Sequence, residues 1–349
     1  MSLMMDWGRI PTKWAAKKNG YATRRPDGGG RSVTKIALIN NMPDAALEDT
    51  ELQFFELLET AALGISVHVE LYSLPGVPRG DRAAEHLHKF YSSTEELLDR
   101  KFDGAIITGT EPRQADLRNE PYWSSLTNIF EWAERQTTST VLSCLAAHAG
   151  VLHSDGINRH PLSDKQFGVF HYKRASNHEL ISGFGDVVRF PHSRWNEVRA
   201  DALTSSGYTV LTQSLDAGVD MFVKKKRTSL FVHFQGHPEY GARTLMKEYR
   251  RDIRRFLRRE RPTYPSMPQG YFDVSAEKLL DDFRKNALSD LREDLMQSFP
   301  EEALTATLRN VWQLSATSVY QNWLQYIATN KAKSGVFTTG ARVSHGRSA

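Results

Sequence analysis

The only cysteine of the chain lies in the stretch TVLSCLAAHAG, which runs from Thr140 to Gly150. An apolar run leads into Cys144, and small residues follow it. A thiol between a strand and a helix lies near the amide groups of the helix N-terminus, which favour the thiolate and can hold an oxyanion. Cys144 is therefore a candidate nucleophile, although free cysteines are also common as inert core residues.

A histidine and a glutamate stand two residues apart in the stretch GHPEY. His237 and Glu239 flank Pro238, directly after the apolar run SLFVHFQ. A histidine at a strand end can act as a general base toward a thiol, and a nearby carboxylate can fix its tautomer. The same residue types are ordinary in surface turns. Together with Cys144, however, they make a Cys-His-Glu triad the leading hypothesis.

Short apolar runs alternate with helical patterns from Lys35 to Gly156. The runs KIALIN, ISVHVELYSL, FDGAIITGT and TVLSC predict buried strands, and the segments between them repeat apolar residues at helical spacing. This alternation predicts βαβ units, and hence an α/β fold with a mostly parallel sheet flanked by helices. Reactive groups in such sheets gather at the carboxyl ends of the strands, which is where Cys144 and His237 are expected.

The composition of the chain, which has 349 residues, changes along its length. Residues 1–32 are polar and end in a glycine-rich sequence, which predicts a flexible leader. Residues 33–262 are expected to form the α/β domain. Residues 263–330 are expected to form additional C-terminal helices that pack on it, and residues 331–349 a disordered tail.

Composition also limits the function classes. A hydrophobic content of 40% is that of a globular protein, and the long apolar run that a membrane span needs does not occur. The net charge of +4 is too small to indicate nucleic-acid binding. One cysteine cannot form an internal disulfide, which fits a reducing, cytoplasmic setting. The histidines lack metal-ligand spacing, so we expect no metal.

The order of motifs along the chain resembles the homoserine O-succinyltransferase family, of which it looks like a divergent member. The shared motifs are KIALINNMPDAALEDTELQFFELL, FDGAIITG, the cysteine turn, DKQFGVF, PHSRWNEV and GHPEYGARTLMKEYRRD. The resemblance implies a flavodoxin-like fold shared with class I glutamine amidotransferases. It also implies small-molecule substrates, no permanently bound cofactor, succinyl-CoA or acetyl-CoA as co-substrate, and a homodimer.

The resemblance implies a ping-pong reaction. The Cys144 thiolate would attack the thioester of an acyl-CoA and carry the acyl group. The acyl group would then pass to the hydroxyl of homoserine or of a similar amino acid such as serine. His237 would be the general base, and Glu239 would orient it.

Four further residues are implied as substrate contacts. Lys165, Ser193 and Arg251 match substrate-binding positions of the family, with Arg251 facing the carboxylate of the amino acid. A gapless alignment places Arg113 at the position that selects the acyl group, where an arginine would favour the succinyl carboxylate. The chain departs from the family after the cysteine, because LAAH replaces the usual WGAQ.

Two other functions remain open from the sequence. The same triad could hydrolyse glutamine, as in class I amidotransferases, although no synthetase partner domain is evident. The altered residues after Cys144 could instead belong to a catalytically silent binding protein on the same fold. The intact triad residues favour the acyltransferase over both.

Overall fold

The computed structural model describes residues 3–6, 8–18 and 33–340, with only the backbone for 334–340. Its strands are short in the N-terminal part and longest near the middle of the chain. In chain order they are β1 (Leu3–Met4), β2 (Val33–Ile39), β3 (Ser66–Tyr72), β4 (Gly104–Ile107), β5 (Ser139–Ser143), β6 (His160–Arg174), β7 (Val187–Glu197), β8 (Thr209–Val210), β9 (Thr212–Ser214), β10 (Gly218–Val219), β11 (Met221–Lys226) and β12 (Ser229–Phe234).

The helices connect these strands and continue beyond the last of them. They are α1 (Thr12–Lys17), α2 (Asp44–Ala61), α3 (Asp81–Phe90), α4 (Thr94–Leu98), α5 (Trp123–Gln136), α6 (Leu145–Asp155), α7 (Ala200–Ser205), α8 (Thr244–Leu257), α9 (Val274–Ser289), α10 (Glu301–Thr307) and α11 (Gln313–Gly340). Within the described ranges, none of these helices has the length and apolar character needed to cross a membrane.

The main sheet has eight strands in the order β1-β3-β2-β4-β5-β12-β11-β8. The pairs from β1 to β12 are parallel, and β11 and β8 add an antiparallel edge. The order β3-β2-β4-β5-β12 is the 2-1-3-4-5 arrangement of flavodoxin-like folds. The predicted mostly parallel sheet with flanking helices is therefore confirmed, as are the additional C-terminal helices.

A second sheet is formed by strands that follow α6 in the chain. It contains four antiparallel strands in the order β10-β9-β6-β7, and the long β6–β7 pair dominates it. The segment YTVLTQS, predicted as one strand, is divided between the sheets. Thr209–Val210 pairs with β11 of the main sheet, whereas Thr212–Ser214 pairs with β6.

Residues 3–4 and 12–17, within the predicted leader, have regular secondary structure. Leu3 and Met4 extend the main sheet by pairing in parallel with β3. The Trp14 side chain of α1 is 2% exposed and packs on Phe55 of α2, with ring centroids 5.4 Å apart. Burial of this aromatic side chain ties the N-terminal segment to the domain. Residues 19–32 lie outside the described residues.

The C-terminal helix α11 lies against the main sheet and α2. Trp323 is buried, and its indole N–H donates to Ser139 Oγ of β5 at 2.9 Å. The helix continues to Gly340, into the segment 331–349 that the sequence predicts to be a tail. Lys331 there bonds to Asp103 at 2.8 Å. Residues 341–349 lie outside the described residues.

Candidate active site

Cys144 occupies the sharp turn between β5 and α6. Its φ of 52° and ψ of −111° lie in a region that non-glycine residues rarely adopt, and the side chain is partly exposed. Its backbone N–H donates to the carbonyl of Phe234 at 2.8 Å. Strained strand-to-helix turns of this kind present a nucleophile at the top of a sheet, because the turn holds the side chain away from both elements.

His237 and Glu239 follow the neighbouring strand β12. Phe234, the last residue of that strand, pairs with Ser143 of β5, so both strands end at the same level beside Cys144. His237 Nδ1 donates to Glu239 Oε1 at 2.9 Å, which leaves Nε2 for a reacting group. The backbone N–H of His237 is held by the carbonyl of Pro191 at 2.9 Å. The structure therefore brings all three predicted triad residues together.

The charges around His237 favour its protonated form. Burial alone lowers the pKa of His237, but the neighbouring Cys144 and Glu239 raise this pKa well above its usual value. The ring also stacks on Tyr240, with centroids 4.2 Å apart. An imidazolium fixed in this way can pair with the Cys144 thiolate and later return its proton to a leaving group.

Gly109, which follows β4, lies close to the first turn of α6. A Cβ placed on Gly109 would lie 2.8 Å from the Cβ of Leu145 and 2.9 Å from its backbone nitrogen. The N–H groups of a first helical turn lack intrahelical acceptors, so they can hold a negative oxygen that develops next to the nucleophile. Gly109 thus keeps the space in front of the Leu145 N–H open.

Replacing Gly109 with alanine should reduce kcat by roughly 10²–10³-fold, as expected for the loss of one oxyanion donor. The added methyl group would displace the Leu145 N–H or cover it. Steady-state rates would measure the effect. Gly185→Ala is the matched control, because a Cβ on Gly185 meets nothing within 4 Å. Equal rates for both variants would contradict an oxyanion role for this turn.

The structure gathers Lys165, Ser193 and Arg251 around two carboxylates of α8. Lys165 Nζ lies 3.2 Å from Asp252 Oδ2 and 3.5 Å from Glu248 Oε2. The Ser193 hydroxyl donates to Glu248, and Arg251 Nε donates to Asp252 at 3.0 Å. Three predicted substrate-binding residues from three separate segments therefore form one charged cluster.

Tyr240 joins this cluster to the triad. Its ring stacks on His237, and its hydroxyl donates to Glu248 Oε1 at 2.6 Å. Tyr240, Glu248 and Asp252 are not among the site residues that the sequence predicts. The available signal was their spacing: Glu248, Arg251 and Asp252 share one helical face.

The fourth predicted substrate contact, Arg113, lies in the loop after β4. Its side chain is exposed, and its backbone N–H donates to Glu120 Oε1 at 2.5 Å. No hydrogen bond or ion pair of its guanidinium is found within the described ranges. The structure thus does not join Arg113 to the other predicted site residues.

His148, where the resemblance implies a glutamine, has a structural contact. Its Nε2 donates to Gln235 Oε1 at 2.9 Å, and burial lowers the pKa of His148 to about 3, so the ring is neutral. Gln235 in turn bonds Val198 and Val219 and stands two residues before His237. His148 therefore connects α6 to the segment after β12 that carries His237.

His148→Gln should leave the free energy of unfolding within roughly 1.5 kcal/mol of the parent, because the amide retains a donor of similar reach. His148→Ala should lower it by roughly 2–4 kcal/mol, since a cavity and a lost hydrogen bond combine. Urea denaturation would measure both. A glutamine variant as unstable as the alanine variant would contradict the bridging role.

The fold and the site define a class of protein: an α/β protein with a Cys-His-Glu triad at the carboxyl end of a parallel sheet. Within the part of the chain that the structure describes, no three His, Cys, Asp or Glu side chains cluster in a way that could hold a metal ion. The groups that the triad itself supplies are a thiol, an imidazole and nearby amide groups.

Comparison with known proteins identifies the family. The family model described as Homoserine O-succinyltransferase matches residues 28–334, so the chain belongs to this family of acyltransferases, as predicted. It is 41% identical over 333 residues to homoserine O-succinyltransferase of Rhodopseudomonas palustris, covering 94% of this chain and 99% of the relative. It is 41% identical over 298 residues to that of Methylorubrum extorquens, covering 85% and 88%.

The chain is also similar to a solved structure of a glutamine amidotransferase from Thermotoga maritima. The identity is 12%, the TM-score is 0.45, and the match covers 84% of this chain and 97% of that chain.

Proposed function

We propose that this protein transfers a succinyl group from succinyl-CoA to the hydroxyl of homoserine through an acyl-enzyme on Cys144. The observation that carries the proposal is the strained turn at Cys144 next to a His237–Glu239 pair, at the adjoining ends of β5 and β12. The names of the relatives support the choice of acyl group and acceptor.

In the first half-reaction, the Cys144 thiolate attacks the carbonyl carbon of the thioester. The carbonyl oxygen becomes an oxyanion at the first turn of α6, which Gly109 leaves accessible. The bond from carbon to the CoA sulfur then breaks. Protonated His237 gives its proton to the departing sulfur, so CoA leaves as a thiol and His237 becomes neutral.

In the second half-reaction, neutral His237 takes the proton of the amino-acid hydroxyl. The oxygen attacks the acyl group on Cys144, and the bond from carbon to the Cys144 sulfur breaks. The product is an ester, Cys144 returns as a thiolate, and His237 is again protonated. Glu239 holds the tautomer that presents Nε2 in both halves, since Nδ1 is occupied by their hydrogen bond.

The cluster of Lys165, Ser193 and Arg251 is our proposed amino-acid site. Tyr240 lies between this cluster and His237. The cluster contains charges of both signs, which suits a zwitterionic substrate. Arg251 is the half-exposed member, with its guanidinium partly paired to Asp252. The remaining N–H groups of Arg251 can therefore donate to a substrate carboxylate.

Initial rates over a grid of succinyl-CoA and homoserine concentrations test this proposal. We expect parallel lines in double-reciprocal plots, because the two half-reactions share only the acyl-enzyme. Intersecting lines would indicate direct transfer. Acetyl-CoA and serine, tested as alternative donor and acceptor, should react more slowly than succinyl-CoA and homoserine.

The other two functions are separate outcomes of the same assays. Ammonia release from glutamine, without acyl transfer, would favour the amidotransferase-type hydrolase. A folded protein that reacts with neither class of substrate would favour a binding protein. The predicted homodimer and cytoplasmic location stay predictions, and light scattering at assay concentration would test the first.

A further inference from the structure

Arg159 lies against the loop that follows β4. Its Nη2 is 3.3 Å from the carbonyl oxygen of Ala115 and 3.5 Å from that of Gln114. The side chain is partly buried, and no carboxylate of the described residues forms an ion pair with it. A guanidinium has five N–H donors, so these long contacts leave most of its hydrogen-bonding capacity unused.

The loop that Arg159 contacts begins beside the cysteine turn. Burial lowers the pKa of Arg159, while Tyr122, Glu120 and Cys144 act to raise it. The geometry agrees, because the loop leaves the sheet next to the cysteine turn. Ile107 of β4 pairs with Leu142 of β5, and the loop then passes Gly109, which touches the residue after Cys144.

Tyr122 supplies a second polar group at the same place. Its side chain is 3% exposed and packs in one apolar cluster with Leu145 and Ala146 of the first turn of α6. Its hydroxyl is buried without a hydrogen-bond partner in the structure. A buried hydroxyl in this state costs free energy, and a bound acceptor would remove that cost.

Glu120 is an acidic residue in the loop that Arg159 contacts. Its Oε1 accepts the backbone N–H groups of Arg113 and Gln114. Oε1 is therefore engaged in shaping the loop, whereas Oε2 is buried without a hydrogen-bond partner among the described residues, and no ion pair joins Glu120 to Arg159. A positive group and an unsatisfied hydroxyl remain at the edge of the cysteine turn, and both can donate to an anion.

We propose that Arg159 and the Tyr122 hydroxyl receive the terminal carboxylate of the acyl group, and so select a dicarboxylic over a monocarboxylic acyl donor. The inference rests on the proposed function. A succinyl group carries its carboxylate two methylene groups beyond the reacting carbonyl, whereas an acetyl group has none. An arginine that binds this carboxylate would favour succinyl-CoA while contributing nothing to acetyl transfer.

Parallel assays with succinyl-CoA and acetyl-CoA test whether Arg159 selects the acyl donor. They compare the parent protein with Arg159→Ala. The measured quantity is kcat/KM for acylation, followed by CoA release with saturating homoserine. We expect Arg159→Ala to lower the succinyl value by roughly 10–100-fold and to leave the acetyl value within roughly 3-fold, as for a lost hydrogen bond to a charged group. Tyr122→Phe should shift the ratio in the same direction by a smaller factor.

Arg118→Ala is the matched control. It removes the same charge from the loop that Arg159 contacts, where Arg118 is exposed and paired with Asp116. The ratio of succinyl to acetyl values should stay at the parental level. Arg113→Ala is measured beside it, because the sequence predicts that Arg113 serves as the selecting residue.

Three outcomes would overturn the inference. An equal loss with both donors would mean that Arg159 holds the loop or contacts the CoA portion. An unchanged ratio would remove it from donor selection, and a ratio that changes only in Arg113→Ala would assign selection to Arg113. If the parent protein accepts neither donor, the proposed function fails, which is a distinct result.

Discussion

Cys144→Ala should abolish acyl transfer, with kcat reduced by about 10⁴-fold or more, as when other covalent nucleophiles are removed. No other thiol can substitute, because the chain contains a single cysteine. Its removal also eliminates the nucleophile that the turn between β5 and α6 presents beside His237. Steady-state CoA release with succinyl-CoA and homoserine measures the loss.

The alanine variant must be shown to fold, since Cys144 has an unusual backbone conformation. Thermal denaturation should give a melting temperature close to that of the parent, because the side chain is only partly buried. A folded Cys144→Ala protein that retains a tenth or more of the parental rate would exclude a covalent role for the thiol.

His237→Ala should slow the reaction by about 10²–10⁴-fold, the usual contribution of general acid–base catalysis. The imidazole both returns a proton to the CoA sulfur and accepts one from the amino-acid hydroxyl. Pre-steady-state acylation and steady-state turnover should therefore both fall. Rapid-quench measurement of acyl-enzyme formation separates the two half-reactions.

His171→Ala provides the control for this variant, because His171 is an exposed histidine on β6 away from the triad. It should match the parent in both half-reactions. A loss of less than about 10-fold in His237→Ala would indicate that another group carries the proton, contrary to the usual size of this effect.

The sheet and the triad were accessible from the sequence because both depend on local patterns. Buried parallel strands read as continuous apolar runs, as residues 36–39 of β2 and 105–107 of β4 do. The carboxyl ends of parallel strands lie at one edge of the sheet, so the sequence alone predicts that Cys144 and His237 lie close together. The structure places them on the adjoining strands β5 and β12.

The N-terminal segment could not be predicted in this way. Two residues, Leu3 and Met4, are too few to show a period, and they form a strand only because the edge of β3 is available. Trp14 is buried through contact with a helix about forty residues further along the chain. Such long-range packing overrides the polar local composition that predicts a flexible leader.

Local sequence patterns also do not show which charged groups meet near the site. Asp252 reads as one acid in a basic helix, yet it is 6% exposed and shared between Lys165 and Arg251. Arg159 carries no motif at all, and only the path of the loop after β4 brings it near the cysteine turn. Side chains that meet through loops leave no spacing in the sequence to recognise.

The most direct test of the account is the mass of the intact protein after incubation with succinyl-CoA and no acceptor. We predict an increase equal to one succinyl group, located on the peptide that contains Cys144, absent in Cys144→Ala and removed when homoserine is added. A folded parent protein that turns over succinyl-CoA and homoserine but never shows this adduct would contradict the covalent mechanism.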